Sequence, residues 1–184
     1  EPGDAIGDAR LAALAEHAPL TLAQIFDFTP RDTAVMQGTL AGWLSQPTFS
    51  SGLIAYGYIA NHKGLSNVRC IGNIGYVPDV DGVLRHTPIY TMYKGKAYPH
   101  LASVLISCAE GGDHAETLSA SLMQSTISNE QELWRIPYAH ALSAYTVISA
   151  ADILQERVSN SLIAGRYVLV GSSSLGLGDR VSTP

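Results

Sequence analysis

The sequence predicts an α/β fold: a mixed central sheet with flanking helices and a β-meander, in a single domain. Three observations predict it. Residues 167–170, Tyr-Val-Leu-Val, are a short continuous apolar run of the kind a strand buried on both faces needs. Apolar residues recur at helical spacing at Leu11, Leu14 and Ala15, and again at Leu101, Val104, Leu105 and Cys108. Two turn signals, Asp79-Val80-Asp81-Gly82 and Tyr93-Lys94-Gly95-Lys96, divide the middle of the chain into short extended stretches. That pattern is a meander and not a βαβ unit. A length of 184 residues, 46% hydrophobic and 15% charged, supports one sizeable core and argues against long disordered tracts.

The elements follow in order. Residues 8–16 read as a first helix, with Asp8 placed to cap it and Pro19 ending it. Residues 20–25 read as a strand, and a helix followed by a strand is half of an α/β repeat. Thr29-Pro30-Arg31-Asp32 has the chemistry of a helix start: a capping hydroxyl, Pro at the first position and an acid at the positive end of the dipole. Met36, Leu40, Trp43 and Leu44 then share one helical face, and Pro47 closes it. Asn61-His62-Lys63-Gly64 reads as a turn. A strand over 72–77 is expected to pair with 83–92 across the Asp-Gly turn. Pro99 opens a helix through Cys108 that Gly111-Gly112 stops, and 114–128 carry a further helical pattern in Leu118, Leu122 and Met123. Residues 134–138 are extended, because Pro137 drives Ile136 out of the helical region. Ser149-Ala150-Ala151-Asp152 is a capping-box variant that starts a helix ending near Arg157. Residues 167–170 are the last strand.

Several function classes are excluded or disfavoured. The formal net charge is −5 and Lys94/Lys96 is the only close lysine pair, so nucleic acid is not an expected partner. No run approaches the roughly 20 apolar residues of a membrane span. After the apolar run comes a loop, Gly171-Ser172-Ser173-Ser174-Leu175-Gly176-Leu177-Gly178. A nucleophile elbow needs Gly at position 175, a dinucleotide loop needs Gly at 181, and a Walker loop needs a Lys that never comes after Lys96. The loop therefore reads as a strand exit, where Gly permits positive φ. Asp179, beside Arg180, is the acid expected to order it, by accepting backbone amides or pairing with that Arg.

Asp79 and Asp81 are two carboxylates on one turn. A calcium loop needs further acids that are missing at the required spacing. They read as a hairpin turn in which Gly82 supplies positive φ and Arg85 pairs one Asp. The six His make no H-x-x-x-H, so no zinc helix is expected, and no metal or other cofactor is. Cys70 and Cys108 match no C-x-x-C pattern. They read as two small buried residues, with a disulfide open in an oxidising compartment.

Three stretches in this order resemble one family. The first is Gly75-Tyr76-Val77-Pro78-Asp79-Val80-Asp81-Gly82-Val83-Leu84-Arg85-His86-Thr87-Pro88 with Tyr98-Pro99-His100-Leu101-Ala102. The second is Arg135-Ile136-Pro137-Tyr138 with Ile148-Ser149-Ala150-Ala151-Asp152-Ile153-Leu154. The third is Gly165-Arg166-Tyr167-Val168-Leu169-Val170-Gly171, Gly176-Leu177-Gly178-Asp179-Arg180 and Thr183-Pro184. Together they resemble the type-two CHASE domain, an extracytoplasmic sensory domain of bacterial receptors. The resemblance is best over 70–184, looser over 1–25, and absent over 29–70. It implies a sensor cut short at both ends, without the flanking transmembrane helices. It further implies a periplasmic or extracellular position on an inner-membrane protein, a small-molecule or protein signal, and a homodimeric receptor. The output would be a histidine kinase, nucleotide cyclase, diguanylate cyclase or Ser/Thr kinase. No catalytic residue comes with it. Asp79, Asp81, Gly82, Arg85, Gly171, Gly178, Asp179 and Arg180 are the candidate structural or signalling residues. The alternative is a serine-dependent hydrolase-like α/β enzyme that pairs Ser172, Ser173 or Ser174 with a His such as His140.

Overall fold

Asp4, and not Asp8, caps the first helix: its carboxylate accepts the amide of Gly7 at 2.8 Å, and Asp8 lies inside the first turn. These positions come from a computed structural model that describes residues 4–44, 52–109, 133–172 and 182–184. The contacts divide the chain into two units, Glu1–Ile136 with Thr183–Pro184, and Pro137–Ser182.

In the first unit α1 (Ala5–His17) stops before Pro19 and leads into β1 (Thr21–Asp27). β1 is the hub of the unit. It pairs in parallel with β5 (Cys70–Asn73), Leu22 opposite Ile71, and antiparallel with β4 (Gly57–Ile59), Phe26 opposite Tyr58. β2 (Met36–Gln37) lies parallel to β4. β3 (Leu53–Ile54) lies parallel to β7 (Tyr90–Tyr93), and β7 pairs antiparallel with β8 (Lys96–Pro99). A bridge between Asn73 and His100 joins β5 to the end of β8. Ala55 then bonds Met92, and Tyr56 bonds Asp27. The pairings thus form a circuit: β1, β5, β8, β7, then β3 running into β4 and back to β1. β6 (His86–Pro88) and β9 (Leu133–Arg135) form a separate antiparallel ribbon. The mixed α/β reading holds.

Two apolar clusters fill this frame. Phe26, Ala55, Tyr93 and Tyr98 form one, with the Phe26 ring 4.9 Å from Tyr98 and 5.9 Å from Tyr93. Ala15, Ala41, Leu65, Val68 and Ile71 form the other, with Ala12, Leu20 and Leu22 packed against it. α2 (Leu101–Ala109) closes over β5 at Gly72, where a Cβ would stand 2.5 Å from the Leu101 Cα. Only Gly lets the helix backbone come so near the strand. A disulfide between Cys70 and Cys108, Cα atoms 6.4 Å apart, ties the two elements. Of the two readings open for these cysteines, this is the covalent one.

The turn at Lys94-Gly95 is as expected: both residues have positive φ (47° and 75°), the pattern of a two-residue hairpin loop. The Asp-Gly turn also forms, with Gly82 N–H donating to the Asp79 carbonyl at 2.8 Å and Asp79 N–H to Val83 at 3.0 Å. The strands expected on either side of it do not pair. Pro78 has no amide to extend the ladder, β1 takes residues 70–73 as its parallel partner, and β9 takes 86–88. Gly82 has φ +78° with nothing within 4 Å of its missing Cβ. Its replacement by Val therefore costs only backbone strain, about 1 kcal/mol. Thermal melting of Gly82→Val reads this, and an unchanged midpoint would contradict the turn.

The helix expected over residues 29–44 does not form. The Asp27 carboxylate takes the Thr29 amide and the Arg31 guanidinium, both at 2.9 Å, which makes a tight side-chain-closed turn. The backbone beyond is claimed by the sheet: Leu44 N–H bonds Ala97, and the Ala41 carbonyl accepts from Gln24. Leu40 packs against the Phe26 cluster, whereas Leu44 joins Ile89 and Tyr90 in a third. Pro47, Gly111, Gly112 and the helical pattern of 114–128 lie outside the described residues.

In the second unit Ser149 caps α3 (Ala150–Leu154) by accepting from Ala151 N–H, as its sequence predicts. Arg157 pairs with Asp152 just beyond the helix. Residues 167–170 are not a buried strand: Val168 is 49% exposed and Val170 93%. No described residue of this unit is a strand partner for them, and none whose burial is described is buried. A strand buried on both faces needs hydrogen-bonded neighbours that local apolarity cannot supply. The run that plays that part is β5, all four of whose residues are buried.

Candidate functional site

The charged residues singled out in the middle of the chain come together on one turn. Asp81 turns back to accept the Val83 amide at 3.0 Å, the local bond that makes Asp a turn residue. Arg85 follows at a spacing that brings its guanidinium over the turn. It grips Asp81 with two parallel bonds of 2.9 Å and also reaches Asp79 at 3.0 Å. It thus pairs both carboxylates, not one. His86, the first residue of β6, sets Nδ1 3.1 Å from the other Asp79 oxygen. Opposite His86 across the ribbon stands Arg135.

The electrostatics follow from the bonds. Arg85, then His86, hold the Asp79 carboxyl below its ordinary value. Arg85 and the Val83 amide take Asp81 down to about 2. The two acids raise Arg85 in return. Carboxylates held ionised by a fork of donors are poor proton carriers and good anchors. Among the described residues no group of three or more His, Cys, Asp or Glu is placed to hold a metal ion. What the arrangement can do is hold the turn rigidly against the start of β6. It is partly exposed and therefore sensitive to salt.

The other candidates are less informative. Gly171 is exposed, with open space around it. Gly178, Asp179, Arg180, Ser173 and Ser174 lie outside the described residues. The His140 ring packs edge-on against Tyr145, 6.4 Å between centroids.

Two polar sites escaped the sequence reading. Asn73 is wholly buried; its amide donates to the Thr91 hydroxyl at 2.7 Å and its oxygen accepts the Gly75 amide at 2.6 Å. An Asn closing an apolar strand, Cys-Ile-Gly-Asn, was the available signal. His100 accepts the Ala102 amide on Nδ1 at 3.2 Å and so caps α2. Its place after Pro99, at the head of an apolar helix, was the signal there. Burial takes the His100 imidazole down to about 4.

A family model described as the CHASE2 domain matches residues 4–184, nearly the whole chain, including residues 29–70 and both units. Nothing among the curated proteins or the solved structures matches it.

Proposed function

The chain belongs to the CHASE2 domain family, an extracytoplasmic sensory family of transmembrane receptors in signal transduction, and from that premise we propose that it senses a signal outside the cytoplasm and relays it to an output domain inside. The signal is a small molecule or a protein, and the receptor acts as a homodimer held by flanking membrane helices. The output is a histidine kinase, a nucleotide or diguanylate cyclase, or a Ser/Thr kinase. The match over residues 4–184 is the observation that carries this reading. The Cys70–Cys108 disulfide supports a periplasmic or extracellular position, because such bonds persist in oxidising compartments. No helix among the described residues is long and apolar enough to cross a membrane. The serine-hydrolase reading is not favoured: its elbow spacing is absent, and the family is a sensory one.

The test uses the intact receptor in cells. A thiol reagent that cannot cross the inner membrane is added after reduction, and labelling of Cys70 and Cys108 is read by mass spectrometry. Output activity is then compared with and without residues 4–184. Labelling from outside and an output that loses its regulation on deletion are expected. Cysteines reached only after lysis, or unaltered regulation without the domain, would overturn the proposal.

A further inference from the structure

His100 stands where three parts of the first unit meet. Its ring nitrogen Nδ1 accepts the Ala102 amide at 3.2 Å, and its carbonyl accepts the Val104 amide at 3.2 Å, so it both caps and begins α2. Its own amide donates to the Ile89 carbonyl at 2.9 Å, and it bridges Asn73, which links β5 to the end of β8. At the other end, Cys108 pins α2 to Cys70 on β5. The helix is therefore held by a covalent bond at its C-terminal end and, at its N-terminal end, by the His100 backbone, while the His100 ring caps its first turn.

Among the described residues of the elements that meet there, none offers that imidazole a counter-charge, and burial alone shifts it. β5, β7 and α2 carry no Asp, Glu, Lys or Arg. β8 carries only Lys96, whose Nζ lies 3.5 Å from the centre of the Trp43 ring. β1 carries only Asp27, engaged by Thr29 and Arg31. The phenol of Tyr98 is pushed up to about 12 and stays neutral. A ring nitrogen that accepts an amide proton cannot keep that bond once it is itself protonated. The imidazolium would also face the positive end of the helix dipole.

We propose that His100 is an acid-operated latch: protonation of its ring releases the first turn of α2, while the disulfide keeps the helix attached. The sign follows from the burial. The folded value of about 4 lies below the ordinary 6.5. The capped form is therefore fully favoured above 6.5 and is lost as the pH falls from there through about 4. In a domain outside the cytoplasm, whose pH follows the medium, the latch makes α2 responsive to external acid; that consequence, unlike the latch, rests on the sensory reading.

The experiment compares the 184-residue chain, disulfide intact, with its His100→Asn variant. Asn also caps helices but does not titrate. Two quantities are followed between about pH 7 and about pH 4: the imidazole ring signal of His100 by NMR, and the exchange protection of the α2 amides, corrected for intrinsic rates. The ring should titrate well below 6.5, and wild-type protection at the start of α2 should fall about tenfold for each unit of that depression. The variant should hold its protection over the same range. Equal losses in both proteins, or titration near 6.5 with α2 unmoved, would overturn the latch. If the variant does not fold, the wild type still decides it: ring and helix must change at one midpoint. Because no signalling is measured, a negative result leaves the sensory reading standing.

Discussion

Reduction of the Cys70–Cys108 bond, or replacement of both residues by Ala, lowers the stability of the chain by at least about 4 kcal/mol. The two cysteines are 38 residues apart in sequence. Closing a loop of that length removes entropy from the unfolded chain worth about 4 kcal/mol in the chain-entropy account. The native cost adds to it, since Cys70 packs with Val104 and Cys108 where α2 meets β5. Urea unfolding of the oxidised and reduced protein measures the difference. The reduced chain should unfold at clearly lower urea. A coincident midpoint would mean that the bond constrains nothing in the unfolded state.

Phe26→Ala costs about as much, roughly 3–5 kcal/mol, through a cavity instead of a loop. Phe26 is 3% exposed and stands between the Tyr93 and Tyr98 rings. These rings come from β1, β7 and β8, strands on opposite parts of the circuit, so no single element can collapse into the space. The edge-on contact of Tyr58 with Tyr93, and the Tyr93 hydroxyl on the Met36 sulfur, extend the same cluster to β4 and β2. Phe26→Leu should cost far less, because it retains most of the volume. Chemical denaturation of the two variants gives both numbers. A loss under about 1 kcal/mol for the Ala variant would show that the circuit does not close on this side chain.

The candidate site was legible in part. Asp79, Asp81, Gly82 and Arg85 lie within seven consecutive residues, so turn chemistry and charge pairing could be read from spacing alone. That Arg135 would face His86 depended on β6 pairing with β9, some fifty residues ahead. Asn73 was not read as a site because its partner Thr91 lies on another strand, and His100, whose cap bond to Ala102 is local, was passed over although its signal was there.

What the sequence by itself determined is local. Ser149 caps α3, Pro19 follows α1, Lys94-Gly95 turns β7 into β8, and Gly82 closes on Asp79. In each case the bonded groups are two to five residues apart, and residue type alone sets the available φ and hydrogen bonds. The family, too, was legible, because the order of its motifs is a property of the chain. Strand partners were decided only by the tertiary structure. Helical spacing at 36, 40, 43 and 44 lost to the Asp27 turn, to the Gln24 side chain bonded at Ala41 and to the backbone bond of Leu44 to Ala97. The apolar run 167–170 lies exposed, and Cys-Ile-Gly-Asn, a less apolar run, is the buried strand. A strand is stabilised by neighbours on both edges and both faces, and those neighbours lie at distances along the chain that no local pattern encodes.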